Sequence, residues 1–140
     1  MPRFMLDTDT CSFIMKRSHP LVLKRLQAVL VSDVCMSVVT KAELLYDVEV
    51  SPRRNQDAAA LDAFLPYVEV LDLTHEAAIH YAEIRADLKK RGEMIGANDL
   101  FVAAHARAMA LTLVTNNVAE FERVRDLAIE NWTLPSRRRR

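Results

Sequence analysis

Glycine is nearly missing from this sequence, with two in 140 residues, Gly92 and Gly96. Helix-forming residues dominate long stretches instead, and 51% of the chain is apolar. That composition excludes a disordered chain and points to one ordered, helix-rich domain with a sizeable core. Cysteine is equally scarce. Cys11 and Cys35 are too few for a disulfide framework or a zinc ligand set, and both read as buried thiols in a reducing compartment. No apolar run approaches the roughly 20 residues that cross a bilayer. The opening Met1-Pro2-Arg3-Phe4 lacks the long apolar stretch of a secretory signal, so a cytoplasmic, non-membrane protein is expected.

Positive charge is also in short supply. Lys+Arg and Asp+Glu balance at 19 each, but four of the basic residues are Arg137 to Arg140. Without that tail, 15 basic residues face 19 acidic ones, a net of −4. This excludes nucleic-acid binding by overall charge alone. The four histidines, His19, His75, His80 and His105, show no metal-ligand spacing, and those on helices read as structural. No internal repeat or long linker divides the chain.

What is present is an alternation of strands and helices. The segments Arg3 to Thr8, Val34 to Ser37, Val68 to Leu73, Thr112 to Thr115 and Ala128 to Trp132 read as strands. Helices are expected over Thr10 to Arg17, Leu21 to Leu30, Thr40 to Val48 and Gln56 to Tyr67. Two more are expected, one after Thr74 ending at Gly92 and one over Asn98 to Ala110. Asn117 opens a short one. Ala77, Tyr81, Ile84 and Leu88 form one apolar stripe. Such alternation predicts an α/β fold with a mostly parallel sheet.

In an open parallel sheet, ligands bind beyond the carboxyl ends of the strands. Asp7 closes the first strand and Ser37 the second. Glu43 follows in the next helix, Asp99 opens a helix, and Asn116 and Asn117 follow the strand that ends at Thr115. Clustered carboxylates suit hard cations, and two such ions can activate a water and stabilise a leaving oxygen in phosphodiester cleavage. Each residue also has a plainer role. Asp7 suits a turn or cap, and Asp9 suits an N-cap. Thr40-Lys41-Ala42-Glu43 and Asn117-Val118-Ala119-Glu120 both carry the N-cap to N3 spacing of a capping box. Arg53, Arg54, Lys89, Lys90 and Arg91 read as solvated faces, with RNA phosphates as the functional alternative.

Four segments in order carry a resemblance: Phe4-Met5-Leu6-Asp7-Thr8; Met36-Ser37-Val38-Val39-Thr40-Lys41-Ala42-Glu43-Leu44; Ile95-Gly96-Ala97-Asn98-Asp99 followed by Ala103-Ala104-His105-Ala106; and Leu113-Val114-Thr115-Asn116-Asn117 followed by Glu120-Phe121. Together they resemble the VapC branch of the PIN-domain family across roughly Phe4 to Trp132. The resemblance implies a parallel sheet flanked by helices in three α/β/α layers over residues 1–134. A disordered basic tail over residues 135–140 would follow. It implies a metal-dependent endoribonuclease toxin that uses Mg²⁺, with Mn²⁺ as a substitute, on structured RNA such as tRNA anticodon loops. A cognate antitoxin whose C-terminal segment blocks the site and a homodimer are implied as well.

The family's first three acids fall on Asp7, Glu43 and Asp99. The fourth position holds Asn117, which can ligate through its amide oxygen but brings no charge. Glu120, one turn later, is the expected fourth acid and metal ligand, with Asn117, Thr115, Asn116 and Ser37 supporting. A non-catalytic scaffold that binds RNA or protein is the alternative, favoured by Asn117 and opposed by the three retained acids. A dehalogenase-type phosphatase shares the Asp7-Thr8-Asp9 opening, but Cys11 stands where that family requires Thr or Val.

Overall fold

The computed structural model describes residues 1–135, so the expected disordered tail lies, from position 136 onward, outside the described residues. Five short strands form one parallel sheet: β1 (Phe4–Leu6), β2 (Val34–Ser37), β3 (Glu69–Leu71), β4 (Thr112–Val114) and β5 (Ile129–Glu130). Their order across the sheet is β3-β2-β1-β4-β5. Among the described residues seven helices flank it: α1 (Thr8–Lys16), α2 (Pro20–Gln27), α3 (Val38–Val50), α4 (Arg54–Phe64), α5 (His75–Arg91), α6 (Ala97–Ala108) and α7 (Val118–Phe121). Single 3₁₀ turns at Val31–Asp33 and Leu65–Tyr67 lead into β2 and towards β3. No helix among the described residues is long and apolar enough to cross a membrane.

The central strands are mostly apolar, with Ser37 and Thr112 at strand ends, because both faces of the sheet are covered. Side chains alternate between two cores. Phe4, Leu6, Val34, Met36 and Val114 pack with Cys11, Ile14, Val22, Leu44, Leu61 and Trp132 under α1 to α4. Met5, Cys35 and Leu113 point the other way, against Ile84, Leu88, Leu100 and the alanines of α6. Ala103, Ala104 and Ala106 are wholly buried, and their small side chains let α6 lie close to its neighbours. The three-layer α/β/α fold expected from the sequence is the one observed. Both cysteines are buried and free, in opposite cores.

Helix ends set the site's frame. Thr74 caps α5 and Gly92 ends it with φ 66, a left-handed conformation that suits a residue without Cβ. The sequence offered Thr40 as the cap of the helix carrying Glu43. The structure starts α3 earlier, at Val38, with Ser37 as N-cap and its Oγ accepting from Val39 N at 3.1 Å. Thr40 is buried inside the first turn. Glu43 is therefore not an N3 capping residue, and its carboxylate is available for other partners.

Candidate active site

The chain runs outward from β1 to β2 and β3 on one side, then returns to build β4 and β5 on the other. The reversal lies between β1 and β4, and this is where open α/β sheets form a crevice at their carboxyl edge. The register aligns Leu6 with Val114, so Asp7 and Thr115 leave the sheet side by side. A cleft of about 780 Å³ opens there. Its lining includes Asp7, Asp9, Glu43, Asp47, Asn98, Asp99 and Asn117, and every charged side chain in it is acidic.

Asp7 is 7% exposed and is the N-cap of α1, where it accepts a hydrogen bond from Thr10 N at 2.8 Å. Burial raises its pKa, against the lowering effect of hydrogen bonds from Thr115 and Thr10. Glu43 projects from α3 and accepts from Thr8 Oγ1 at 2.7 Å and, more weakly, from Asn98 Nδ2 at 3.5 Å. Asp99 stands in the first turn of α6. Burial, a hydrogen bond with Glu120, and the charges of Glu120, Glu43 and Asp7 push its carboxyl up to about 7. Glu120 comes from α7. Gly96 N donates to its Oε1 at 2.8 Å, and Asn117 Nδ2 donates to its Oε2. A Cβ at Gly96 would make a tight 3.3 Å contact with Asp99 Oδ2 and an ordinary 3.7 Å contact with Glu120 Oε1, so glycine leaves both carboxylates room.

Asp7, Glu43, Asp99 and Glu120 thus converge from four elements distant in sequence. Thr115 is buried, bonds Asp7 and accepts from Asn117 N at 2.9 Å. Asn117 lines the cleft but uses its side chain on Glu120 rather than on the start of α7. Asn116 is exposed and outside the lining. Ser37 is also outside it. It is fully buried, and its Oγ lies 2.9 Å from His105 Nδ1, so it ties α6 to the start of α3. Burial lowers the His105 pKa and keeps the ring neutral. Neither His105 Nε2 nor Thr40 Oγ1 has a hydrogen-bond partner among the described residues. His80 accepts from Arg107 Nε at 2.8 Å, a structural role. Arg54 and Arg91 are occupied by Glu49 and by Asp87 with Glu93, as solvated faces would be.

Sequence reasoning missed Asp47, Thr8 and Asn98. Asp47 lies four residues after Glu43, on the same face of α3, and this spacing could have revealed it. Its pKa is raised by partial burial and by Glu43, with Lys16 opposing. Asp9 lines the cleft, whereas the cap of α1 is Asp7.

The donor set is entirely oxygen, the chemistry a hard divalent cation requires. Burial is the main cause of the upward push on Asp99, and the charges of Glu120, Glu43 and Asp7 add the part that such a cation would relieve. Among the described residues no three His, Cys, Asp or Glu side chains are grouped closely enough to hold a metal ion by themselves. Instead Asp7, Glu43 and Glu120 each rest on a donor of their own, Thr10, Thr8 and Gly96 respectively. The set fits a cation that keeps several waters, in charge and in donor type, rather than a preformed all-protein cage.

The PIN domain family model matches residues 4–127. The chain belongs to the PIN-domain family. Within that family it is 40% identical over 132 residues to Ribonuclease VapC2 of Haemophilus influenzae, covering 94% of this chain and 99% of that one. It is 39% identical over 132 residues, with the same coverage, to the tRNA(fMet)-specific endonuclease VapC of Salmonella typhimurium. Among solved structures, the fold of this PIN domain matches DNA-bound VapBC from Salmonella typhimurium with a TM-score of 0.88 at 39% identity, over 94% of this chain and 99% of that one. It matches VapBC2 from Rickettsia felis, bound to a promoter DNA fragment, with a TM-score of 0.86 at 36% identity, over 92% and 98%. These similarities place it in the VapC branch.

Proposed function

We propose that this PIN domain is the endoribonuclease toxin of a toxin–antitoxin pair, acting in the cytoplasm on structured RNA. A tRNA anticodon loop is the favoured substrate. The observation that carries the reading is the convergence of Asp7, Glu43 and Asp99 in the cleft at the carboxyl edge between β1 and β4, with Glu120 outside its lining but against Asp99. The Salmonella relative's name, a tRNA(fMet)-specific endonuclease, supports the substrate class.

Those four carboxylates would hold one or two Mg²⁺ ions, with Mn²⁺ as a substitute. Bound there, a divalent cation supplies an activated water and positive charge at the scissile phosphate. The chain's own residues hold the carboxylates for that task. Thr8 and Asn98 fix Glu43, Gly96 and Asn117 fix Glu120, and Thr115 and Thr10 fix Asp7. The relatives solved as VapBC complexes support a cognate antitoxin as partner. A C-terminal antitoxin segment with basic side chains would complement the acidic cleft. A homodimer belongs to the same reading.

The test is cleavage of total cellular RNA by partner-free protein in Mg²⁺ or Mn²⁺, with cut ends mapped by sequencing. Discrete cuts, lost with EDTA and in folded Asp7→Asn, are expected. No cuts with either metal would shift the reading to a scaffold that binds without cutting, with Asn117 as the first residue to examine.

A further inference from the structure

If the cleft takes RNA, its electrostatics raise a difficulty. Five carboxylates line it, and no basic side chain joins them among the described residues. Phosphates entering it are repelled, and the attraction has to come from bound cation and from contacts that carry no charge. The cleft supplies such contacts. Tyr46 stands one helical turn after Glu43 on α3, lines the same cleft, and is 64% exposed. Phe101, two residues beyond Asp99 on α6, lines it too. Phe101 is backed by Tyr81, the two rings stacked at 4.3 Å between centroids and 16° between planes. Tyr81 is itself held by Arg85, whose guanidinium lies 5.9 Å from the ring centroid and donates to the phenol oxygen at 2.8 Å.

An exposed aromatic leaves apolar surface in water unless something covers it. A ring stacked from behind is also held in orientation at little entropic cost. Unpaired RNA bases stack on such rings whatever their sequence, because every base has a π-face. We infer that Tyr46 and the Tyr81-backed Phe101 form a nucleobase-binding subsite beside the carboxylates, which takes unpaired bases flanking the scissile phosphate of single-stranded RNA. The inference rests on the nuclease reading and deepens it. Stacking, rather than a basic surface, then draws a polyanion into an acidic cleft, and it selects loops over duplex because paired bases are already stacked.

The experiment measures binding of a short fluorescent single-stranded RNA, and of a matching backbone without bases, by anisotropy in Mg²⁺ over a range of salt. An Asp99→Asn background prevents cutting. Adding Tyr46→Leu is expected to weaken binding of the base-bearing RNA about 10-fold, with the salt slope unchanged and the base-free backbone unaffected. Phe101→Leu is expected to do the same, with folding checked by circular dichroism. If Tyr46→Leu leaves affinity for the base-bearing RNA unchanged while the parent binds it, the subsite is wrong and the nuclease reading survives. If Tyr46→Leu instead turns a dimer into a monomer, Tyr46 serves self-association and the subsite is likewise overturned. If the parent binds neither RNA, Tyr46→Leu is compared with wild type in Mg²⁺: an unchanged KM for cleavage overturns the subsite, and no cleavage by folded wild type overturns both readings.

Discussion

Replacing Asp99 by Asn should stabilise the metal-free protein, and by an amount that depends on pH. Asp99 titrates near 3.8 in an unfolded chain and is pushed up to about 7 here, by burial first and then by Glu120, Glu43 and Asp7. A raised carboxyl pKa means that the folded state holds the proton more tightly than the unfolded state. The stability this group contributes is therefore fully present below 3.8 and is lost as the pH rises through about 7. At about 1.4 kcal/mol per pKa unit the whole shift would correspond to about 4 kcal/mol. The carboxyl is only half-buried and water screens it, so about 1–2 kcal/mol is the expected effect. Asn has the same shape without the charge. Urea melts in EDTA should show the variant and wild type nearly equal at about pH 4. The variant should gain steadily up to about pH 7 and lead by about 0.5–1 M in midpoint above it. A variant less stable than wild type at about pH 8, or a gap independent of pH, would refute the claim that like charges converge on Asp99.

Other substitutions probe the supports. Thr8→Val keeps the side chain's shape but removes the donor to Glu43, so cation affinity should fall several-fold by titration while stability changes by less than about 1 kcal/mol. Asn117→Asp places a further carboxylate beside Glu120. It should lower the metal-free melting temperature and raise the shift produced by Mn²⁺ in the same thermal scan. His105→Ala empties a buried site and removes one of the two hydrogen-bond partners of the Ser37 hydroxyl. It should cost about 2–4 kcal/mol by denaturant unfolding, although His105 lies outside the cleft.

The sheet was legible because each central strand is a short apolar run bounded by polar residues, as Phe4 to Leu6 is by Arg3 and Asp7. Covered on both faces, such strands need no alternation to be recognised. The start of α3 was misread because two capping signals compete within four residues, and the one used is Ser37, whose hydroxyl accepts from Val39 N, while Thr40, equally buried, falls inside the first turn. Ser37 was placed correctly at a strand end, yet His105, 68 residues away, holds its hydroxyl away from the cleft. Spacing along the chain carries no trace of that pairing. The same holds for the supports of the carboxylates: Thr8 meets Glu43 across 35 residues and Gly96 meets Glu120 across 24. The acids were visible as residue types at strand and helix ends, whereas their donors arise from tertiary packing.

The central claim is that Asp7, Glu43, Asp99 and Glu120 form a cation site, and calorimetric titration of the partner-free protein with Mn²⁺ tests it most directly. Repeating the titration in buffers of different ionisation enthalpy counts the protons released. With Asp99 near half-protonation at neutral pH, the account predicts saturable binding that releases about half a proton from Asp99 at pH 7, less at higher pH, and a smaller release in Asp99→Asn. An absence of saturable Mn²⁺ binding by folded wild-type protein would contradict it.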